Sequence, residues 1–401
     1  NLFHVGPILS GGEYHRMVTS GFLHGGFLHL LVNMYVLFMF GGFVEQLGFN
    51  GSDAAAPYKR VRVTCRQVYS FAHAKLLGWD DATGFIHDGA EFLVAKAWQG
   101  DAAGFARRLN RDGSVLDPTP DLYEHAFAIL AFSFAYRATG EGAYRDWALK
   151  TYDWIDAHLR DHNGEGFWHQ RPPEGPRQQN PHMHLTESSL DALQATGDAR
   201  FRALGTELTT LFHDRLFDHN TKTLTEYFDR QWRPAAGEKG LIVEPGHQFE
   251  WAWILSRAMR ELGAGDVGVI HALVETGDRL GLNAATGAVM NRVARNGQPL
   301  DAGSRSWTNT ERLKALIALA EHGDGATAEQ IDAAIDLLFT HFLSSHHGKD
   351  IPEGAWIDEI DAAGAPVSET IPASIFYHFM LAFAEVLRVS DAQGEAGPNA
   401  P

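Results

Sequence analysis

The sequence has a single cysteine, Cys65, among its 401 residues. One cysteine forms no intramolecular disulfide and cannot build the thiolate cage of a structural zinc site. Disulfide-stapled and zinc-finger folds are therefore excluded. A lone thiol fits a reducing compartment, so we expect the main domain to be cytoplasmic.

Positive charge is scarce as well, because 33 Lys and Arg residues stand against 50 Asp and Glu residues, for a net charge of -17. A chain of this charge repels phosphate backbones and offers no basic stripe. We therefore expect no nucleic-acid partner. The composition, 45% hydrophobic and 21% charged, is typical of a globular protein.

Long uncharged stretches are rare, and the one that stands out runs from Phe22 to Val44. As a helix it is long enough to cross a hydrocarbon core of ~30 Å. Its polar residues His24, His29 and Asn33 are costly in lipid unless other helices shelter them. The pattern predicts one helix of a membrane bundle, and with it membrane attachment through residues 22–44.

The run His24, His29 and Asn33 resembles the early helices of rhomboid intramembrane proteases. A rhomboid also needs a Gly-x-Ser-Gly nucleophile on a later membrane helix. The sequence contains neither that motif nor a second long apolar span. Residues 1–48 are thus predicted to be a rhomboid-like fragment without a complete protease site.

Beyond residue 57, apolar residues recur at helical spacing between Gly, Pro, Asn and Asp breaks, and this pattern indicates an all-α fold. Paired helices favour an (α/α)6 barrel. A TPR-like solenoid would give a similar count, but no 34-residue repeat supports it. The predicted helices number eleven, near residues 58–78, 88–109, 121–138, 141–160, 182–196, 198–217, 247–262, 266–281, 307–322, 326–344 and 372–388.

Histidines stand at two predicted helix starts. Asn180 is a good N-cap residue, and it places His184 in a first turn where the helix dipole favours neutral imidazole. Glu187, three residues on, shares a face with His184 and can orient its ring. His247 and Glu250 repeat the spacing. Converging helix starts would gather these rings for proton transfer, whereas isolated capped helices would leave them as surface histidines.

Two further residues lie on mostly apolar helices. His378 is on the last long helix, where a lone histidine is more often a core residue than a functional one. Arg66 could hold a substrate oxygen with its donor fork, or it could pair with one of the many acids.

Five segments, in order along the chain, resemble the N-acylglucosamine 2-epimerase family, whose members epimerise sugars at C2 or interconvert aldoses and ketoses. The segments are RVRVTCRQVY, LYEHAFAILA, NPHMHLTES, GHQFEWAWIL and IPASIFYHFMLAFAE. The resemblance implies an (α/α)6 barrel. It implies that His247 and His378 are the acid/base pair, that His184 assists ring opening or proton handling, that Arg66 binds a substrate oxygen, that Glu250 tunes His247, and that Asn180 touches the sugar or caps its helix.

The chain departs from the family at residues 306–311, where the usual Trp-Pro-Gln-Thr-Glu is replaced. Trp307, a predicted sugar platform, and Glu311 are kept, but Thr308 and Asn309 replace Pro and Gln. This difference bears on which sugar is bound more than on the chemistry.

The junction of the two resemblances falls at residues 41–51, GGFVEQLGFNG, which fit both patterns. We therefore predict a fragment over 1–48, a catalytic barrel over 49–390 and a disordered tail over 391–401. A barrel of this type has twelve helices, so the rhomboid-like segment would replace the first.

The resemblance implies proton transfer at C1 and C2 through an enediolate, and this chemistry requires neither metal nor cofactor. The IPASxxYH form of the last segment favours mannose–fructose isomerisation over cellobiose or N-acylglucosamine 2-epimerisation. Three other classes stay open: an inactive, membrane-attached sugar-binding chimera, a glycoside hydrolase with two facing carboxylates, and a carboxylate-bridged metal protein. The sequence indicates no oligomeric state.

Overall fold

The computed structural model describes residues 43–54, 56–263, 265–323, 325–343 and 355–395. The prediction of a mainly helical chain is confirmed. Eleven α-helices lie in this described part: α1 (Val61–Leu76), α2 (Thr83–Phe92), α3 (Leu122–Thr139), α4 (Gly142–His158), α5 (Gln179–Thr196), α6 (Ala199–Leu211), α7 (Pro245–Leu262), α8 (Val267–Gly281), α9 (Ser306–Glu321), α10 (Ala328–Leu338) and α11 (Ala373–Glu395).

The odd-numbered helices form a closed inner ring. Each packs against the next odd-numbered helix, and α11 returns to pack against α1. The even-numbered helices lie outside, each against the inner helix that precedes it. The architecture is therefore an α/α toroid. The solenoid alternative is wrong, because a solenoid leaves its first and last helices apart.

Burial differs between the two rings because each inner helix has neighbours on both sides. Along α3, residues from Leu122 to Ala135 are buried almost without interruption. The outer helix α8 instead has a buried apolar face and an exposed polar one, as expected for a helix with water on one side. Polar side chains of the inner helices that point to the barrel axis, such as Glu187 and Glu250, are also buried.

Short strands line one rim of the toroid, where the inner helices begin. The strands are β1 (Gln46–Gly48), β2 (Lys59–Arg60), β3 (Arg108–Leu109), β4 (Val115–Asp117), β5 (Arg177–Gln178), β6 (Phe217–Asp218), β7 (Thr223–Leu224), β8 (Tyr227–Phe228), β9 (Ile242–Val243), β10 (Arg292–Ala294), β11 (Pro299–Asp301), β12 (Ser304–Arg305), β13 (Glu359–Ile360) and β14 (Thr370–Pro372). Five of them, β2, β5, β9, β12 and β14, directly precede an inner helix, so their pairing fixes where that helix starts.

The start of the described chain is tied to its last helix. Strand β1 pairs antiparallel with β14, with Leu47 opposite Ile371. The backbone N–H of Ala373, the first residue of α11, donates to the carbonyl oxygen of Glu45. Residues 46–48, which the sequence analysis assigned to the N-terminal fragment, are therefore part of the barrel rim.

The prediction of a helix over 88–109 is wrong. Helix α2 ends at Phe92, a single π-helical turn continues it to Ala97, and the chain then turns back. Gly104 has φ 72°, and an added Cβ there would lie 2.5 Å from His125 Nε2. A helix cannot continue through this left-handed residue, so the apolar positions beyond it are contacts of a folded loop.

Most of the predicted rhomboid-like fragment over 1–48 lies outside the described residues, which begin at residue 43. Its predicted replacement of the first barrel helix and its membrane attachment therefore stay predictions. None of the described helices is long and apolar enough to cross a membrane. Helix α11 continues to Glu395, beyond the predicted end at 388, and residues 396–401 of the predicted tail also lie outside.

An aromatic cluster between α1 and α2 offers a test of the packing. Phe71 is fully buried and stacks on Phe85 with ring centroids 4.7 Å apart. The ring centroids of Phe43 and Trp79 each lie 6.2 Å from that of Phe71. We expect Phe71→Ala to lower the free energy of unfolding by about 3–5 kcal/mol through lost contacts and a cavity. Urea unfolding measures this loss. Leu116→Ala, at a 47% exposed position, is the control; equal losses in the two variants would contradict the packing described.

Candidate active site

The three predicted histidines converge at the rim where the inner helices begin. His184, His247 and His378 lie within the first two turns of α5, α7 and α11. Trp307, in the first turn of α9, has its ring centroid 5.1 Å from that of His247 and 5.5 Å from that of His378. The two histidines therefore flank one half-buried indole, which leaves an apolar surface between two proton-transfer groups.

His247 is held by two carboxylates. Its Nδ1 lies 3.0 Å from Glu226 Oε2 and 3.5 Å from Glu244 Oε2. Although burial opposes it, the charges of Glu226 and Glu244 raise the pKa of His247 to about 10. The ring is therefore an imidazolium at neutral pH, with a proton available on Nε2.

Asn180 contacts that second nitrogen. Its Nδ2 lies 3.1 Å from His247 Nε2, and its Oδ1 is buried without a hydrogen-bond partner in the described structure. Rotating the amide by 180° would let Oδ1 accept the imidazolium proton, since the two amide ends differ only in hydrogen placement. The prediction that Asn180 caps the helix is wrong: α5 begins at Gln179, so Asn180 is already inside its first turn.

His378 differs from His247 in its protonation state. Its Nδ1 lies 2.8 Å from Glu311 Oε1, which directs Nε2 away from that carboxylate. Burial, with the positive charges of Arg66 and Lys314, holds the pKa of His378 well below its usual range. At neutral pH the ring is neutral. With its hydrogen on Nδ1, the Nε2 lone pair is free to accept a proton.

His184 is also neutral, because burial lowers its pKa to about 4 even though Glu187 opposes the shift. Its Nδ1 lies 3.1 Å from Glu187 Oε2, which is the orienting contact predicted from the sequence. Glu250 lies 3.7 Å from the same nitrogen. Glu250 therefore sits beside His184, whereas the ion-pair partners of His247 are Glu226 and Glu244.

Arg66 was predicted either to hold a substrate oxygen or to pair with an acid, and its side chain points inward, as the first alternative requires. Its Nη1 donates to the carbonyl oxygen of Ser374 at 2.9 Å, and its Nη2 donates to the Tyr123 hydroxyl at 3.0 Å. The guanidinium lies 4.3 Å from the Phe127 ring centroid. Both hydrogen-bond partners are neutral oxygens, and no ion pair between Arg66 and an acid occurs in the described part of the chain, so no carboxylate neutralises its charge.

Three groups of side chains in the described residues have donor atoms close enough to hold a metal ion: His184 with Glu187 and Glu250, His247 with Glu226 and Glu244, and His378 with Glu250 and Glu311. In the last group an ammonium is already present, because Lys314 Nζ lies 2.7 Å from Glu311 Oε2. A divalent cation there would be repelled by this charge.

Sequence reasoning missed Tyr123, Glu226 and Lys314. The Tyr123 hydroxyl lies 3.3 Å from His184 Nε2 as well as beside Arg66. A spacing signal existed for Lys314, three residues after Glu311, but such pairs are usually exposed. No local signal existed for Glu226, which lies in a connector just before β8 and meets His247 only in the folded chain.

Comparisons with known proteins find relatives among sugar isomerases and epimerases. A family model described as N-acylglucosamine 2-epimerase matches residues 41–382, and a rhomboid domain model matches residues 11–51. A mannose-6-phosphate isomerase of Rhizobium meliloti (strain 1021) is 36% identical over 86% of this chain and 90% of that protein. A cellobiose 2-epimerase of Bacteroides fragilis is 25% identical over 81% and 86%. A crystal structure of D-mannose isomerase superposes with a TM-score of 0.79 at 22% identity, covering 90% of this chain and 97% of that one.

Proposed function

The chain belongs to the N-acylglucosamine 2-epimerase family of sugar isomerases and epimerases, and we propose that it interconverts an aldose and its ketose by moving a proton between C2 and C1. The observation that carries this proposal is that the two histidines beside Trp307 are held in different protonation states. His247 is an imidazolium and His378 is a neutral imidazole at the same pH. Two titratable groups with pKa values driven apart are the arrangement that acid/base catalysis needs.

The proposed reaction starts from the open-chain aldose. His378 Nε2 accepts the proton of C2, the C2–H electron pair becomes the C1=C2 double bond, and the carbonyl oxygen on C1 takes a proton from His247. The enediol then returns the proton of its C2 hydroxyl to His247, while His378 delivers its proton to C1. Both rings recover their starting states, and each proton transfer contributes about 10²–10⁴-fold.

The surrounding residues support these steps. Arg66 offers a fixed cation to the oxygens that gain negative charge, which stabilises an enediolate in a buried site. Tyr123 and Glu187 hold His184 on both ring nitrogens. A neutral, oriented His184 suits the proton transfers of ring opening. Trp307 offers an apolar face for a sugar ring.

We further propose a neutral, mannose-type substrate. Arg292 and Arg305 are the arginines whose charges act on Glu244 beside His247, and they are already paired with Asp301 and Asp358. A phosphate dianion would gain little from them and would meet the carboxylates around His247. The R. meliloti relative, named for a phosphorylated sugar, is the reason to test mannose 6-phosphate as the second candidate.

Epimerisation uses the same intermediate. If the proton returns to the other face of C2, the product is the C2 epimer, as the name of the B. fragilis relative describes for cellobiose. Because a histidine lies on either side of Trp307, both isomerisation and epimerisation are compatible with the site. The products of the reaction distinguish the two.

The test is a substrate panel followed by NMR in the presence of EDTA: mannose, fructose, glucose, cellobiose, N-acetylglucosamine and mannose 6-phosphate. We expect mannose and fructose to interconvert with EDTA present, and faster than mannose 6-phosphate. Conversion of cellobiose alone would establish an epimerase. Sugar binding without any turnover, from folded protein, would contradict the proposal, as would activity that EDTA abolishes.

The charge of His247 gives a pH prediction. Its folded-state pKa is raised, so the acid form is present at neutral pH and is lost as pH rises through about 10. Glu226→Gln removes a principal cause of that elevation. We expect the alkaline limb of kcat to move down by about 1–3 pH units. Glu238→Gln, at an exposed position in the same connector, is the control; an unmoved limb in Glu226→Gln would rule out His247 as the acid.

A further inference from the structure

Beneath the three histidines lies a carboxylate cluster formed by Glu187, Glu250 and Glu311, and the mechanism above leaves its charge unassigned. The three side chains are at most 1% exposed. Lys314, which is also fully buried, lies with its Nζ 2.7 Å from Glu311 Oε2. The other oxygen of Glu311 is 2.8 Å from His378 Nδ1. Glu311 thus bridges a buried ammonium and the proposed base.

Lys314 is the only lysine or arginine of the described chain that forms an ion pair with the carboxylate cluster. Glu187 contacts His184 and accepts a hydrogen bond from the Tyr377 hydroxyl at 2.5 Å. Neither oxygen of Glu250 accepts a hydrogen bond from another described group. Lys314 therefore acts more directly on Glu311 than on the other two carboxyl groups, because Glu311 is the member of the cluster that it contacts.

The position of Lys314 is fixed by packing as well as by charge. Its Nζ lies 3.8 Å from the centroid of the Trp253 ring, a cation–π contact inside the barrel. The amino group is therefore held between this ring and Glu311, where solvent cannot supply a counterion. Burying such a cation is costly unless it is paired, which indicates a specific role.

We propose that Lys314 is a positioning residue: it keeps Glu311 ionised, and the ionised carboxylate holds the hydrogen of His378 on Nδ1, leaving Nε2 free to accept the C2 proton. Only an ionised Glu311 requires a donor at His378 Nδ1. A protonated Glu311 would itself donate to Nδ1, and the ring hydrogen would move to Nε2. His378 would then face the sugar as a donor. This inference rests on the proposed function for its kinetic consequence, although not for its tautomer.

The electrostatic surroundings agree with this direction. Burial raises the pKa of Glu311 to about 7, and Lys314 is the largest influence that opposes the rise. Without the ammonium, the pKa of Glu311 would rise further, and the carboxyl group would stay protonated to a higher pH. The charged or titratable groups around Glu311 and His378 are Arg66 on α1, His184 and Glu187 on α5, His247 and Glu250 on α7, Arg305 and Lys314 beside or on α9, and Tyr377 on α11.

The test compares the pH dependence of kcat/KM in the wild type, Lys314→Met, Lys314→Arg and the double variant Glu311→Gln/Lys314→Met. Methionine keeps the length of the chain without its charge. We expect the acid limb of Lys314→Met to move up by about 1–3 pH units, with activity recovered at higher pH. Lys314→Arg should keep the limb near its wild-type position. The double variant should show no such limb, because it has no carboxyl group to titrate at position 311.

A second measurement does not depend on turnover. The ¹⁵N shifts of the histidine rings report the tautomer, and His378→Asn identifies the His378 signals. Above the pKa of Glu311, at pH 8, we expect Nδ1–H in the wild type and Nε2–H in Lys314→Met. An Nε2–H tautomer in the wild type would overturn the inference, even if a variant failed to fold.

The kinetic result can also overturn the inference. A folded Lys314→Met protein with reduced activity and an unmoved acid limb would mean that Lys314 only fills space. If the wild type converts no sugar, the proposed function fails, while the tautomer measurement still decides the role of Lys314.

Discussion

His378→Asn is expected to lower kcat for mannose by about 10²–10⁴-fold at pH 7 while the protein stays folded. The loss follows from the state of the ring: His378 is neutral, its Nδ1 is engaged by Glu311, and its Nε2 is the proposed acceptor of the C2 proton. Asparagine restores a polar side chain but cannot accept a proton at this pH. Because the missing step is proton removal, exchange of the C2 hydrogen with solvent should fall by the same factor.

Activity and C2 exchange, followed by NMR, measure this loss. His162→Asn, at an exposed position in the connector after α4, is the matched control and should behave as the wild type. The unfolding midpoint of His378→Asn shows whether the fold is kept. Turnover of folded His378→Asn within a few-fold of the wild type would remove His378 from the catalytic role.

His247→Gln is expected to have the second large effect, again about 10²–10⁴-fold on kcat. Here the lost group is the acid. The imidazolium is maintained up to about pH 10 by Glu226 and Glu244, and glutamine carries no transferable proton at any pH in this range. The variant should therefore lose its alkaline limb together with its rate.

The pH profile distinguishes this result from a simple loss of binding. If His247 only held the sugar, His247→Gln would raise KM and leave kcat and the alkaline limb in place. A retained limb near pH 10 would contradict the assignment of His247 as the acid. Glu226→Gln provides the intermediate case, since it keeps the His247 ring and lowers the pH at which that ring loses its charge.

Much of the fold could be predicted because long helices carry a periodic signal. The inner helices α5, α7 and α11 begin within a few residues of the predicted starts. The rim strands could not be predicted, since two or three residues are too few to show alternation. The helix predicted over 88–109 was wrong because Gly104 turns the chain for a reason visible only in space, the close approach of His125.

His184 and His247 could be predicted to converge because helix starts in one ring can meet at one rim, whereas His378 was placed in the site by the family resemblance alone. The pairings of these histidines could not be predicted. Equal His-x-x-Glu spacing suggested equal partners, yet Glu187 contacts His184 directly, whereas His247 pairs with Glu226 and Glu244 and Glu250 is a smaller influence that raises its pKa. The ring of His247 turns toward the rim strands. Its carboxylates therefore come from the connector and from the residue before α7.

The most direct measurement of the central claim is the conversion of mannose in D₂O, with the position of deuterium in the product read by NMR. Proton transfer through His378 passes the hydrogen of C2 to a group that exchanges with solvent. The account predicts fructose that carries deuterium at C1, formed at a rate that falls in His378→Asn. Fructose without deuterium at C1 that His378→Asn forms as fast as the wild type would contradict the account, as would the absence of any conversion by folded protein.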